Sequence, residues 1–184
     1  MDGQARKFVT NWTGSGGERY SVSMGPGVID STSTNVVYSV SFYITDTTHV
    51  NQLEFDVNQV IAGGNTVIFG TQCNFPEGFW DYTTNVASSA HWNQSNIPCT
   101  KANWTVNTWH TLSIASHRSG GTVTYDSVTF DGTTTNFSSA SGNSSFALGW
   151  SPVGLFVLNY QLNGDAVSTG TTNYLDQMSL SHSQ

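Results

Sequence analysis

Charged side chains are scarce in this sequence, and cations are the scarcest. Only 9% of the 184 residues are charged, and five Lys and Arg residues stand against twelve Asp and Glu residues, for a net charge of −7. With so few cations available to meet phosphates, nucleic acid is not an expected partner. An anionic membrane surface is excluded for the same reason. No apolar run approaches the length of a membrane span.

Several catalytic motifs are also missing. The sequence has no G-x-S-x-G elbow, which argues against serine-triad hydrolysis, and no phosphate loop or dinucleotide fingerprint. It has no C-x-x-C or H-x-x-x-H spacing, so a zinc site is not expected. We therefore expect no cofactor, although a structural calcium ion held by carboxylates remains an alternative. The first residues lack the basic and apolar segments of a signal peptide.

Cysteine occurs only twice, at Cys73 and Cys99. A pair of cysteines in a chain of this composition predicts one disulfide, which would close a loop of about 25 residues and stabilise the fold by roughly 3 kcal/mol. Two buried thiols are the alternative. A disulfide would place the protein outside the reducing cytosol, so we expect a secreted, monomeric domain. The missing signal peptide leads us to expect that it was excised from a larger protein.

What the chain does contain is β-strand sequence. Aromatic residues make up 12% of it and need either a core or a ligand. Alternating apolar segments recur with turn signals every 8–12 residues, which predicts about a dozen short strands and no helix. The length suits one domain, covering 1–184. The fold class is therefore all-β, either a two-sheet antiparallel β-sandwich or a barrel.

One strand, read as QLEFDVNQV over Gln52–Val60, is the most informative. Three apolar residues alternate with Glu54, Asp56 and Asn58, so one face is apolar and the other is acidic and polar. Strands predicted at 36–45, 52–60, 66–74 and 155–163 each carry a similar polar stripe. If all four lie in one sheet, that sheet presents a concave polar groove, as in a jelly roll that binds sugar.

Amides and aromatic rings complete the predicted groove. Neutral amides both donate and accept hydrogen bonds, which suits sugar hydroxyls. Aromatic faces stack on sugar rings, and the least regular stretch, 75–107, holds several of them. The remaining tryptophans, Trp12, Trp109 and Trp150, are predicted to lie in the core. The predicted sugar-binding residues are Asn58, Gln72, Trp80, Tyr82, Trp92, Asn159 and Gln161.

The order of these elements resembles the concanavalin A-like lectin/glucanase superfamily. The closing strand, Tyr174-Leu175-Asp176-Gln177-Met178-Ser179-Leu180, is similar to that of laminin-G-like domains. The segments around Glu54, Gln72 and Gln161 also resemble secreted bacterial domains that follow immunoglobulin-like repeats. The resemblance implies a jelly-roll sandwich and a polysaccharide ligand.

A partial resemblance to family 16 glycoside hydrolases rests on Glu54-Phe55-Asp56-Val57-Asn58. That family carries E-x-D-x-E, with a nucleophile, a helper and an acid/base. Here Glu54 and Asp56 match the first two positions, but Asn58 replaces the acid/base and cannot donate a proton as a carboxylic acid does. Family 12 enzymes take their second carboxylate from a later strand, and Asp165 is the candidate here.

Three functions follow from this sequence. The first is a carbohydrate-binding module with Glu54, Asp56, Asn58 and Gln161 on the groove floor. The second is an endo-acting glycoside hydrolase on a β-glucan type of polysaccharide, with Glu54 as nucleophile and Asp56 or Asp165 as its partner. The third is an adhesion domain that binds protein through the same sheet.

Overall fold

Short strands joined by tight turns make up most of the chain. A computed structural model describes residues 4–13, 16–23, 29–164 and 167–184, with the backbone alone for 12–13, 16–23 and 167–170. No helix in these ranges is long and apolar enough to cross a membrane. A 3-10 turn occupies Lys101–Asn103. The strands are β1 (Arg6–Thr13), β2 (Gly16–Ser23), β3 (Asn35–Ile44), β4 (Val50–Val60), β5 (Thr66–Asn74), β6 (Phe79–Val86), β7 (Ser89–Pro98), β8 (Trp109–Ser119), β9 (Thr122–Phe130), β10 (Thr133–Asn136), β11 (Ser141–Asn143), β12 (Ser145–Phe146), β13 (Phe156–Gly164) and β14 (Val167–Ser183).

The strands form two sheets that pack against each other. Sheet A has the order β1-β14-β3-β8-β9-β10, with β11 beside β9, and sheet B has the order β2-β13-β4-β5-β6-β7, with β12 beside β5. Neighbouring strands are antiparallel, as in the pairing of β4 with β13 and β5. The predicted two-sheet antiparallel β-sandwich is confirmed.

Aromatic side chains from both sheets fill the space between them. Phe55 of β4 stacks on Trp104 with a ring-centroid distance of 6.1 Å and an interplanar angle of 9°. Phe42 of β3 meets Trp104 and Tyr160 edge-on, at 5.3 Å in both cases. All four side chains are at most 1% exposed. Each one adds roughly 1.5–3 kcal/mol or more of hydrophobic stabilisation, so this cluster is a main support of the sandwich.

Two hairpins and one disulfide follow the predictions from sequence. The β4–β5 turn contains Gly63 and Gly64 at φ of +89° and +79°, and the β9–β10 turn contains Asp131 and Gly132 at +47° and +79°. Glycine adopts such left-handed conformations at little cost, which is why Gly63-Gly64 and Asp131-Gly132 predict hairpin turns. Cys73 and Cys99 form the disulfide, with Cα atoms 5.6 Å apart.

Three other predictions from sequence are wrong. The segment 36–45, now β3, lies in sheet A, whereas the segments 52–60, 66–74 and 155–163 lie together in sheet B. The stretch 75–107 is more regular than expected, because β6 and β7 form a long antiparallel hairpin within it. Trp109 and Trp150 are only half-buried and lie outside the core cluster.

The hydroxyl of Tyr125 separates part of β6 from β5. Tyr125 Oη accepts a hydrogen bond from Gly70 N at 3.2 Å and donates one to Thr83 O at 2.9 Å. The β5–β6 pairing runs from Thr71 to Asn74, on one side of this contact only. On the other side, β12 pairs with β5 instead. Along this edge of β5, sheet B therefore continues into β6 at one end of the strand and into β12 at the other.

A buried polar cluster ties the segment before β3 to both sheets. Gln59 of β4 is fully buried, and its Nε2 donates to Asp30 O at 2.7 Å and to Ser33 O at 3.1 Å. Its Oε1 accepts a hydrogen bond from Arg118 Nε of β8 at 2.8 Å. Arg118 also donates to Ser31 O at 2.8 Å. Because buried amide and guanidinium groups need partners, this cluster fixes the segment 30–33.

Candidate functional site

The acidic face of β4 lies on the outer side of sheet B. Leu53, Phe55 and Val57 are at most 2% exposed and belong to the core between the sheets. Since side chains of a strand alternate between faces, Glu54, Asp56 and Asn58 point away from that core. The predicted two-residue alternation of this strand is confirmed.

Neighbouring strands extend the polar surface sideways. In the register of sheet B, Glu54 pairs with Gln161 on β13 and with Gln72 on β5. Asp56 pairs with Asn159 on β13 and with Gly70 on β5. Residues that pair across an antiparallel ladder share a face. The outer face of sheet B therefore carries amide side chains around the Glu54 and Asp56 carboxylates, with Asp81 on β6 next to Gln72.

Part of this polar surface is enclosed in a cavity of about 130 Å³, which we call the sheet-B groove. Its floor comes from β4, β5, β6 and β13. Its walls come from β7 and from the loop between β12 and β13, each of which contributes a tryptophan. The lining residues are Glu54, Asp56, Asn58, Ile68, Thr83, Ala90, Trp92, Leu148, Trp150 and Asn159.

The floor is buried even though it faces outward. Asp56, Asn58 and Asn159 are 5%, 2% and 5% exposed, because the tryptophan-bearing walls cover them. Asn58 Nδ2 donates to Val157 O at 3.4 Å. Asn159 Oδ1 is buried and has no hydrogen-bond partner among the described residues. An amide oxygen in this position is an acceptor that a ligand hydroxyl could satisfy.

Gly70 makes room for the Asp56 carboxylate. A Cβ atom built on Gly70 would lie 2.5 Å from the Thr83 Cγ2 methyl group and 3.1 Å from Asp56 Oδ1. Any side chain at this position would push against the groove floor. Glycine at position 70 is thus required by the close approach of β4 and β6 side chains around it.

The groove carries negative charge. The Asp56 charge acts through the sheet on two tyrosines of the interior. Burial raises the pKa of Tyr38, and the Asp56 charge raises it further. The pKa of Tyr125 is likewise raised, chiefly by burial, with a smaller contribution from Asp56. Within the part of the lining that the structure describes, no residue is Lys or Arg.

Two of the predicted amides lie beside the groove and outside its lining. Gln72 Nε2 donates to Asp81 Oδ2 at 2.9 Å, and Asn74 Nδ2 donates to the same oxygen at 2.8 Å. Gln161 Nε2 donates to Asn163 Oδ1 at 3.1 Å. The Gln72 and Gln161 amides are thus already engaged with neighbours on the polar face.

The structure contradicts the predicted stacking role of Trp80 and Tyr82. Trp80 is 3% exposed and packs on Phe55 and Trp104, with centroids 6.3 and 6.4 Å away. Tyr82 packs on Tyr125 at 5.2 Å. Both rings lie on the inner face of β6, and Asp81 between them lies on the outer face. Neither ring can therefore stack on a ligand in the sheet-B groove.

Trp150 lines the groove, although the neighbouring strand pattern predicts a core position for it. Gly149 precedes it and Ser151-Pro152 follows, in a segment without strand structure. Glycine and proline on either side of an aromatic residue were the signal for a loop. Trp92 lines the groove as predicted, whereas Asp165 lies outside the described residues.

Two other polar clusters among the described residues centre on buried side chains, Ser33 and His110. Ser33 Oγ lies 2.8 Å from His182 Nδ1 and also contacts Asp30, but Ser33 is fully buried, so a substrate cannot reach it. His110 Nδ1 lies 2.7 Å from Asp131 Oδ2, and His110 is 3% exposed. Within the ranges described, no three His, Cys, Asp or Glu side chains gather as a metal site would require.

Comparison with known proteins gives structural neighbours only. No protein-family model matches the sequence, and no curated protein has significant sequence similarity to it. Alginate lyase AlyC3 aligns with a TM-score of 0.51 and 8% identity, over 98% of this chain and 75% of the lyase. Alginate lyase A1-II', a member of polysaccharide lyase family 7, aligns with a TM-score of 0.48 and 13% identity, over 98% and 80%. The carbohydrate-binding module CBM66 from Bacillus subtilis aligns with a TM-score of 0.44 and 12% identity, over 97% and 91%.

The similarity to AlyC3 extends over nearly the whole chain. Together with the two antiparallel sheets, it shows that the chain has the concanavalin A-like jelly-roll fold. The jelly-roll fold that the sequence resemblance implied is confirmed. A shared fold at 8% identity does not transfer an activity.

Proposed function

We propose that this chain is a secreted polysaccharide-binding domain whose ligand occupies the sheet-B groove. The observation that carries the proposal is the pairing of two half-buried tryptophans, Trp92 and Trp150, with an amide and carboxylate floor in one cavity. Sugar rings present hydroxyls at their edges and C–H groups on their faces. Such a ligand matches a polar floor and aromatic walls.

The chemistry of the floor favours a neutral glycan. Asn58 and Asn159 supply amide groups that both donate and accept, while Glu54 and Asp56 accept hydrogen bonds from hydroxyls. Glu54 and Asp56 would repel an anionic polysaccharide, and among the described residues that line the groove there is no Lys or Arg to offset them. We therefore expect glucans, xylans or mannans as ligands, and no binding to uronate polymers.

The small size of the cavity favours binding of a polysaccharide over its cleavage at an internal linkage. A volume of about 130 Å³ is below the roughly 300 Å³ at which sites for drug-sized ligands begin. The groove would hold about one sugar ring, with the rest of the polymer lying along the open polar face. Asn58 occupies the position that the acid/base holds in family 16 enzymes. Unlike a carboxylic acid, its amide has no acidic proton to give to the leaving group.

Secretion belongs to the same proposal. The Cys73–Cys99 bond requires a compartment that does not reduce disulfides. Polysaccharides of the kinds named above are extracellular polymers. A secreted domain would meet both conditions.

A glycoside hydrolase is the second candidate, because Glu54 and Asp56 line the same cavity. Hydrolysis needs two carboxyl groups, about 5–5.5 Å apart for retention of configuration or 6.5–9.5 Å for inversion. Glu54 would be the nucleophile, with Asp56 or Asp165 as its partner. An adhesion domain that binds protein is the third candidate, and the enclosed polar floor favours it least.

The test is a binding and cleavage assay on one panel of β-glucan, xylan and mannan. Wild-type protein is expected to bind at least one glycan without releasing reducing sugar. Glu54→Gln keeps the size of the side chain and a hydrogen-bond acceptor but removes the carboxylate. We expect this variant to bind the same glycan with a similar or modestly lower affinity.

Two other outcomes would overturn the proposal. Release of reducing sugar by the wild type that disappears in Glu54→Gln would identify a hydrolase. Neither binding nor release on any member of the panel would reject both glycan functions and favour adhesion. Alginate serves as the anionic control, and tight binding to it would reject the preference for neutral glycans.

A further inference from the structure

Three aromatic side chains form a continuous row on the outer face of sheet A. Tyr174 of β14 pairs in register with Tyr43 of β3, and Tyr43 pairs with Trp109 of β8. The ring of Tyr43 lies 5.6 Å from that of Tyr174 and 5.5 Å from that of Trp109. We call these three residues the aromatic row. It spans two strand spacings, or about 10 Å.

The aromatic row faces away from the interior. The adjacent residues Phe42, His110 and Leu175 are at most 4% exposed and point into the sandwich. The three ring residues are half-buried and, with Thr45, line a shallow depression of about 310 Å³. Their rings are not needed to fill the core, since the core cluster does not include them.

A second depression of about 390 Å³ continues along the same strands. Its described lining has six hydroxyl side chains and one amide, that of Gln177, and includes no charged residue. Ser39 Oγ lies 3.0 Å from Ser113 Oγ, and Ser41 Oγ donates to Gln177 Oε1 at 3.2 Å. On β3, Ser41 and Ser39 follow Tyr43 at two-residue steps on one face, each step covering about 6.5–7 Å. The aromatic row thus leads directly into a hydroxyl-lined trough.

We infer that the outer face of sheet A is a second glycan-binding surface, separate from the sheet-B groove. Its ligand is a single soluble chain of a neutral polysaccharide. Sugar rings would stack on the aromatic row, and the following rings would exchange hydrogen bonds with the hydroxyls and the Gln177 amide of the trough.

The angles between the three rings favour a soluble polysaccharide chain as the ligand over the flat surface of a crystalline polysaccharide. The plane of Tyr43 is inclined by 83° to that of Tyr174 and by 56° to that of Trp109. Rings at such angles cannot all lie flat on one plane of an ordered fibre. A single flexible chain can turn its successive sugars to meet them.

The composition of the surface selects a glycan over a protein or a second copy of this chain. Protein interfaces are enriched in aromatic residues, Met and Arg at their centre and are depleted in Ser. Here the aromatic row is followed by Ser39, Ser41, Ser113 and Ser179. A trough of small hydroxyls offers little apolar area to bury but many hydrogen-bonding groups for sugar hydroxyls.

This inference does not depend on the function proposed for the sheet-B groove, because the two surfaces lie on opposite sheets. If both bind, one domain would hold two segments of a polymer or two polymers. Once one site has bound a long chain, the other site meets further segments of that chain at a high effective concentration. The apparent affinity for long chains would therefore exceed that of either site alone.

The experiment is native gel electrophoresis in the presence of soluble mixed-linkage β-glucan, xylan or galactomannan. The whole chain is compared as wild type, Trp109→Ala and Trp109→Phe, with Trp92→Ala as the variant of the other site. Thermal unfolding of each variant checks that it is folded. We expect Trp109→Ala to weaken retardation of the protein about three- to tenfold, and Trp109→Phe to restore most of it. Combining Trp109→Ala with Trp92→Ala should weaken retardation more than either change alone.

Three results would overturn the inference. The first is equal retardation of wild type and Trp109→Ala, whether or not Trp92→Ala lowers it. The second is no retardation of the wild type by any of the three polysaccharides. The third is a wild-type dimer in analytical ultracentrifugation that Trp109→Ala converts to monomer, since that would make a second copy the occupant.

Discussion

Asp30 shows how one half-buried carboxylate can organise a turn. Its Oδ1 accepts hydrogen bonds from Thr32 N and Thr32 Oγ1, both at 2.7 Å, and its Oδ2 accepts one from the Ser33 hydroxyl. These hydrogen bonds hold the pKa of Asp30 far below its usual value. The Ser33 hydroxyl contributes most to this shift, ahead of Thr32. Because the folded chain holds these donors against the carboxylate, the ionised form is favoured in the folded state.

The lowered pKa of Asp30 predicts a specific acid sensitivity. A carboxyl group whose pKa is lower in the folded than in the unfolded state stabilises the fold above the unfolded pKa, about 3.9, and loses this contribution as the pH falls further. We expect the melting temperature of the wild type to fall between about pH 5 and pH 2. Asp30→Asn should melt lower at neutral pH and show a shallower fall on acidification.

Calorimetric melting of both proteins across this pH range checks the prediction. Ser33→Ala, which removes the principal hydrogen bond, is the companion variant and should flatten the curve in part. Parallel pH curves for the wild type and Asp30→Asn would contradict the role given to Asp30.

Single residues also show what the sequence could reveal about the site. The alternation of Glu54, Asp56 and Asn58 with apolar residues was enough to place all three on one face. The same rule applied to β6 places Asp81 opposite Trp80 and Tyr82, and it would have assigned both rings to the core. The irregular, aromatic-rich pattern of the stretch 75–107 predicts a binding surface instead, which is why the prediction for both rings is wrong.

At the scale of elements, the segment 30–33 depends on β4 and β8. Gln59 alone supplies the partners of Asp30 O, Ser33 O and Arg118 Nε. Leucine in place of this glutamine would leave two carbonyls and a guanidinium N–H buried without these bonds. Unpaired buried groups cost about 1–3 kcal/mol each before relaxation.

We therefore predict that Gln59→Leu lowers the free energy of unfolding by about 2–3 kcal/mol. Urea denaturation at neutral pH measures this change. Gln94→Leu on the exposed side of β7 is the matched control and should change the free energy by no more than about 0.5 kcal/mol. Equal effects of the two substitutions would show that the polar cluster is not a major support.

Strand partners were harder to predict than strand positions. Adjacent hairpins such as β4–β5 could be read from their turns, because the turn fixes the pairing of its two strands. The pairing of β13 with β4 joins residues about a hundred positions apart, and that of β3 with β14 joins residues still further apart. Both sheets carry polar outer stripes, so Ser39 and Ser41 of β3 resembled a groove floor although they belong to the other sheet.

At the scale of the whole molecule, the two outer faces differ in shape and charge. Sheet B bears an acidic cavity enclosed by Trp92 and Trp150, whereas sheet A bears an open, uncharged trough that ends in the aromatic row. The core between them is apolar and rich in aromatic side chains. The sandwich thus holds two polar surfaces apart and in fixed positions, which suits a domain that contacts an extended polymer.

The central claim is that the sheet-B groove binds a neutral polysaccharide through its tryptophan walls. The most direct measurement is isothermal titration of the wild type and of Trp150→Ala with soluble β-glucan, xylan and mannan, with Val153→Ala as the control. Val153 is 46% exposed in the same loop and does not line the groove. We predict that one glycan binds the wild type and Val153→Ala equally, and binds Trp150→Ala about tenfold more weakly. Equal affinity of all three proteins, or no binding by the wild type, would contradict the claim.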